Sequence, residues 1–117
     1  MGKNNLIQDK SFDFAVSVVK LLKETNNLNC QFVISNQLSK SATSIGANVE
    51  EAIGAQSKKD FISKLSIAYK EARETRYWLR VIIATDSNLK KHSEVLLEKN
   101  NEVLRILTAI LKTSKKE

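Results

Sequence analysis

Proline is absent from this chain, and glycine occurs only at Gly2, Gly46 and Gly54. Average usage would place about six prolines in a chain of this length. So few turn formers mean few tight turns, which excludes a many-stranded sandwich or barrel and points to a few long helices. One cysteine, Cys30, cannot close an intrachain disulfide, so no oxidising compartment is indicated. With one histidine, His92, it falls short of a closed zinc site, and no metal or cofactor is expected. No run approaches the ~18–20 apolar residues of a membrane span, so no membrane partner is expected. Met1-Gly2-Lys3-Asn4-Asn5 leads into no apolar segment, unlike a secretory signal, and Leu6 stands where myristoylation of Gly2 would need Ser or Thr. The expected location is the cytoplasm.

The 117 residues support one domain, 1–117. Charged residues make up 27% and hydrophobic ones 42%, so a packed core is possible and wholesale disorder is not expected. Nineteen Lys and Arg against 13 Asp and Glu give +6. The excess is concentrated in residues 57–80, where seven cations face three carboxylates. A basic surface of this kind suits a polyanion.

Hydrophobic periodicity predicts an all-α protein with helices over about 11–25, 30–54, 58–85 and 89–113. In the first, Phe14, Val18, Leu21 and Leu22 share a stripe, with Ser11 placed to cap it and Asn26-Asn27-Leu28-Asn29 to end it. In the second, which begins near Cys30, Ile34, Leu38, Ala42, Ile45, Val49 and Ala52 step by four or three. Gly46 in its middle costs about 1 kcal/mol relative to Ala, which close approach of another helix would offset. Gly54 suits a left-handed residue ending that helix. The third has the strongest pattern: Phe61, Leu65, Ala68, Ala72, Thr75, Leu79 and Ile82 alternate steps of four and three, behind a Ser57 cap with Asp60 three residues on. After Thr85-Asp86-Ser87-Asn88, Leu89, Leu96, Val103 and Ile110 recur every seven residues in the fourth, with Asn100 on the same face and a fraying tail over 114–117. Connections of about four residues make sequential helices antiparallel neighbours, an up-down-up-down four-helix bundle.

No nucleophile–base pair or phosphate-cradling glycine loop can be assembled, so the chain is read as no enzyme. Glu71 with Glu74, and Glu50 with Glu51, read as salt-bridge partners; His92 reads as a solvated residue of the fourth helix's start. Ser41, Ser44, Asn48 and Glu51 form a polar stripe beside the second helix's apolar seam, level with Lys64, Glu71 and Glu74 of the third. That stripe is either a half-exposed flank or a buried network that sets register between helices or subunits. Tyr69, Tyr77 and Trp78 fall partly off the third helix's main stripe, beside Arg73, Arg76 and Arg80. They can complete the core or a subunit interface, or form an aromatic–arginine platform for bases; the surplus of apolar surface favours the interface. Lys58, Lys59, Lys70, Arg73, Arg76 and Arg80 are the candidate phosphate contacts, although with Lys64 the cations wrap around the helix and cannot all meet one ligand.

The segment Gln37-Leu38-Ser39-Lys40-Ser41-Ala42-Thr43-Ser44-Ile45-Gly46-Ala47-Asn48-Val49-Glu50-Glu51-Ala52 resembles the signature of a bacterial four-helix-bundle family. Its members include proteins encoded within intervening sequences of large-subunit ribosomal RNA genes, and the accessory variability protein of diversity-generating retroelements is similar. The likeness continues through residues 57–65 and 68–75 and ends at Tyr77-Trp78-Leu79. It implies a ring-like homopentamer and a basic surface that binds nucleic acid, with a reverse transcriptase as partner in the retroelement branch. It carries over Ser44, Asn48, Glu51 and Glu74 as structural polar positions and transfers no catalytic residue. Two functions follow as expectations: a non-enzymatic oligomer associating with RNA or DNA, or a structural or protein-interaction bundle whose charge only keeps it soluble.

Overall fold

Ser57 starts the longest helix in the way its chemistry dictates. Its backbone is extended (φ −150°, ψ 162°) and its hydroxyl accepts from the Asp60 amide at 3.0 Å. Asp60 adds a negative charge in the first turn, where the helix dipole favours one. The computed structural model describes residues 3–25 and 32–116, which form α1 (Lys3–Glu24), α2 (Phe32–Ile53), α3 (Lys58–Thr85) and α4 (Lys90–Lys116). At 1.5 Å per residue, α3 is about 42 Å long, and it sets the long axis of a body measuring 47 × 20 × 20 Å.

Asp86 makes the α3–α4 turn. It leaves the helix at φ −132°, and its amide still donates to Ile82 O. Its Oδ1 then accepts from the Asn88 and Leu89 amides at 2.9 and 3.2 Å, folding the chain directly into α4. Each helix packs on its sequence neighbour, and α1 also packs on α4; among the described residues no Cα atom of α1 comes within 8 Å of one in α3, nor one of α2 within 8 Å of α4. That is the adjacency of an antiparallel four-helix bundle. The apolar stripes meet in one core, from Phe14 and Val18 of α1 through Leu38 and Ile45 of α2 and Leu65 and Leu79 of α3 to Leu107 of α4. Among the described residues no helix is long and apolar enough to cross a membrane.

The sequence reading of α1 needs correction. The helix starts at Lys3, eight residues before Ser11, and Ile7 extends its buried stripe. Ser11 is not a cap. It is buried inside the helix, and its hydroxyl donates to Gln8 O one turn back at 3.2 Å. Its small side chain admits α2: a β-carbon on Gly46 would lie 3.5 Å from Ser11 O, the close approach expected at that glycine. Gly54 is not left-handed. Instead its amide donates to Glu50 O and the Ala55 amide to Ala52 O, tightening the last turn of α2. The fourth helix does not end at residue 113: α4 runs on to Lys116, with Lys115 and Lys116 complementing its dipole. Cys30 and the Asn26–Asn29 break lie outside the described residues.

Candidate nucleic-acid interface

The polar stripe of α2 separates into unlike parts. Ser41 is buried, and its Oγ lies 2.8 Å from Thr75 Oγ1 on α3. Thr75 Oγ1 is also 2.8 Å from Glu71 O, and Ser41 Oγ is 3.3 Å from Leu38 O, so both hydroxyl hydrogens have acceptors. Asn48 turns back on its own helix, donating to Ser44 O at 2.8 Å. Glu51 meets Lys64 at 3.2 Å, but the carboxylate side chain is 57% exposed. An exposed pair of that kind contributes about 0–1 kcal/mol. Glu50 pairs with no lysine among the described residues; its carboxylate accepts from Gln8 Nε2 of α1.

Glu71 and Glu74 are not salt-bridge partners among the described residues, where the ion pairs are Lys10–Glu102 and Lys64–Glu51. Glu74 accepts from the Trp78 indole at 3.0 Å. Partial burial pushes the Glu71 carboxyl above its ordinary range, and the Glu74 charge adds to that rise. Trp78 and Tyr69 are half-buried against the core, while Tyr77 is exposed and meets Trp78 edge to face at 5.0 Å. His92 is exposed in the first turn of α4. Among the described residues no three His, Cys, Asp or Glu converge as a metal site would require.

The α3 cations do not wrap evenly. At ~100° per residue, Lys58, Lys59, Lys70, Arg73, Arg76 and Arg80 fall within an arc of about 120°. Lys64 stands apart, turned to Glu51 of α2. Within the arc, Lys70 and Arg73 line a groove between α3 and α4, with Tyr69 in both of its adjoining hollows. The larger hollow, about 570 Å³, is closed on the far side by Leu111, Lys112 and Lys115. The smaller, about 310 Å³, is closed by Leu104 and Arg105, and Thr108 borders both.

Five cations therefore surround this groove, two from α3 and three from α4. Among the described residues no carboxylate lines it, and none of the five is in an ion pair. The other cavities differ. The one between α1 and α4 sets Lys20, Lys91 and Lys99 against Glu24, and the one at the α2–α3 turn has Lys58 as its single cation. Lys59, Arg76 and Arg80 lie outside both hollows of the groove. Arg105, Lys112 and Lys115 do not stand out in the sequence, because they align with the α3 cations only in the folded hairpin. Arg105 and Lys112 are seven residues apart, hence on one face, and an antiparallel α3–α4 hairpin brings that face to Lys70 and Arg73.

A four-helix bundle with this signature on α2 and α3 defines the family. Residues 3–109 match the profile of the 23S rRNA-intervening sequence protein, and the chain belongs to that family. A crystal structure at 1.70 Å, of a protein with unknown function from the S23 ribosomal protein family of Bacteroides thetaiotaomicron VPI-5482, is similar at 45% identity with a TM-score of 0.88. The likeness covers 94% of this chain and 98% of that one. Comparison with curated proteins finds no match.

Proposed function

We propose that this protein is a non-enzymatic, self-associating bundle that holds the phosphate backbone of RNA or DNA along its α3–α4 groove. The observation that carries this reading is the groove's charge: Lys70, Arg73, Arg105, Lys112 and Lys115 surround it, and among the described residues no carboxylate lines it. Surface cations on facing walls neutralise phosphates and release their counterions, which is the main source of sequence-independent affinity. Family membership supports the association with nucleic acid by resemblance. Self-association into a homopentamer is supported by the same resemblance and by exposed large apolar side chains, Phe12 at 65% and Val95 at 57% among them. Five chains of +6 on one body would strengthen the field that draws a polyanion.

The test is binding of labelled RNA and DNA at about 50 mM salt by the wild type and by Arg105→Glu/Lys112→Glu, with sedimentation equilibrium run alongside. The reading expects a species near five times 13.2 kDa, wild-type binding that weakens as salt rises, and loss of binding in the variant at unchanged helical content. A protein that binds neither nucleic acid would leave the structural or protein-interaction bundle as the account.

A further inference from the structure

The groove has a second property that charge alone does not require: its floor is apolar. Leu104 and Leu111 are buried beneath it, and Ala109 and the half-buried Tyr69 complete it between the two cationic walls. A duplex offers such a groove sugar, phosphate and base-pair edges but no base face, because its bases are stacked inside. Offering a base face would require unpairing, at a few kcal/mol. A single strand can lay an unstacked base on the apolar floor while its phosphates reach the rim.

We infer that the α3–α4 groove is a single-strand site, in which a base lodges against Tyr69 between Lys70 and Arg73 on one wall and Arg105 and Lys112 on the other. The inference rests on the nucleic-acid reading above and names the form of nucleic acid it takes. Tyr69 is suited to the role because its packing against the core holds the ring in place before the ligand arrives. Thr108 borders both hollows, and its hydroxyl already donates to Leu104 O at 2.8 Å, so it accepts rather than donates toward a ligand. Among the described residues no Asn, Gln, Asp or Glu lines the groove, and its Arg and Lys side chains are the phosphate contacts of this reading, so any base is accepted.

Three probes of equal length separate this from simple charge attraction: a mixed-sequence single-stranded RNA, its blunt duplex, and an abasic single strand with the same phosphates. Fluorescence anisotropy should show the single strand binding about tenfold more tightly than the abasic strand, the range of one base–aromatic stack. Tyr69→Leu and Thr108→Leu should each bring the single strand down to the abasic level and leave abasic and duplex affinities unchanged. Thr108 is exposed, so the second variant fills the groove without touching the core and keeps the test open if Tyr69→Leu unfolds. Equal affinity for the single and abasic strands, or a duplex bound as tightly as the single strand, would overturn the single-strand site while leaving phosphate binding intact. Failure to bind any of the three at low salt would remove both.

Discussion

Ser41 and Thr75 place two hydroxyls 2.8 Å apart inside the α2–α3 contact, both screened from solvent. Each also has a carbonyl of its own helix within reach, so the pair needs nothing else to be satisfied. Thr75→Val keeps the shape and removes one hydroxyl. The expected loss is about 1 kcal/mol, because Ser41 retains Leu38 O as acceptor. A double-mutant cycle with Ser41→Ala, read by urea denaturation, should give a coupling above about 0.5 kcal/mol. Simple additivity would show that the two hydroxyls act alone.

Gly46 and Ser11 make a second close contact, between α2 and α1. An added β-carbon would sit 3.5 Å from the nearest atom of Ser11, ordinary van der Waals distance. Gly46→Ala should therefore be tolerated and gain up to about 1 kcal/mol from helix propensity. Gly46→Leu has no such room and should cost about 1–3 kcal/mol. Thermal unfolding of the two variants checks the contact; a Leu variant as stable as the wild type would show that α1 moves aside freely.

How far these features could be read from the sequence depended on whether local chemistry had one meaning. At α3 it did: Ser57 and Asp86 mark its ends, and the four–three steps from Phe61 to Ile82 run without interruption. At Ser11 it had two. A serine before an apolar stripe has cap chemistry, yet here its hydroxyl bonds one turn back and its small size serves Gly46. Residues 4–10 hide the true start because only Ile7 among them is buried. The Glu51–Lys64 pairing followed from register alone, but its exposure did not, since burial is set by how far the two helices' flanks turn outward. The groove was half legible for the same reason: its α3 wall stands out as a run of cations, while its α4 wall appears only once the hairpin is folded.

Asn100 is fully buried, and its Nδ2 donates to Ala72 O at 3.0 Å across the α3–α4 contact. Asn100→Asp would aim an ionised carboxylate at a carbonyl oxygen in the core. Such a site raises the acid's folded pKa above its unfolded value, so stability should fall as pH rises through the folded value. The expected loss at pH 7 is several kcal/mol, recovering below about pH 4 as the protonated acid donates in place of the amide. Denaturation midpoints at the two pH values decide it, and a loss independent of pH would contradict the packing described.

Glu71 carries a milder form of the same effect. Its carboxyl is raised by partial burial and by Glu74, so the ionised form opposes folding and its penalty is present above the folded pKa. Glu71→Gln should raise the melting temperature at pH 7. The gain should vanish below the ordinary Glu value of about 4.3, where wild-type Glu71 is protonated in both states. A variant less stable at neutral pH would mean that Glu71 is favourably paired.

The groove's part in binding is tested most directly by the slope of log K against log salt for a single-stranded RNA. Neutralising four phosphates predicts a slope of about −3. Lys112→Gln/Lys115→Gln removes two cations from the α4 wall and should reduce the slope to about −1.5. Lys20→Gln/Lys23→Gln removes the same charge from α1, outside the groove, and should leave the slope near the wild-type value. Equal slopes for the two double variants would mean that net charge, not the α3–α4 groove, carries the binding.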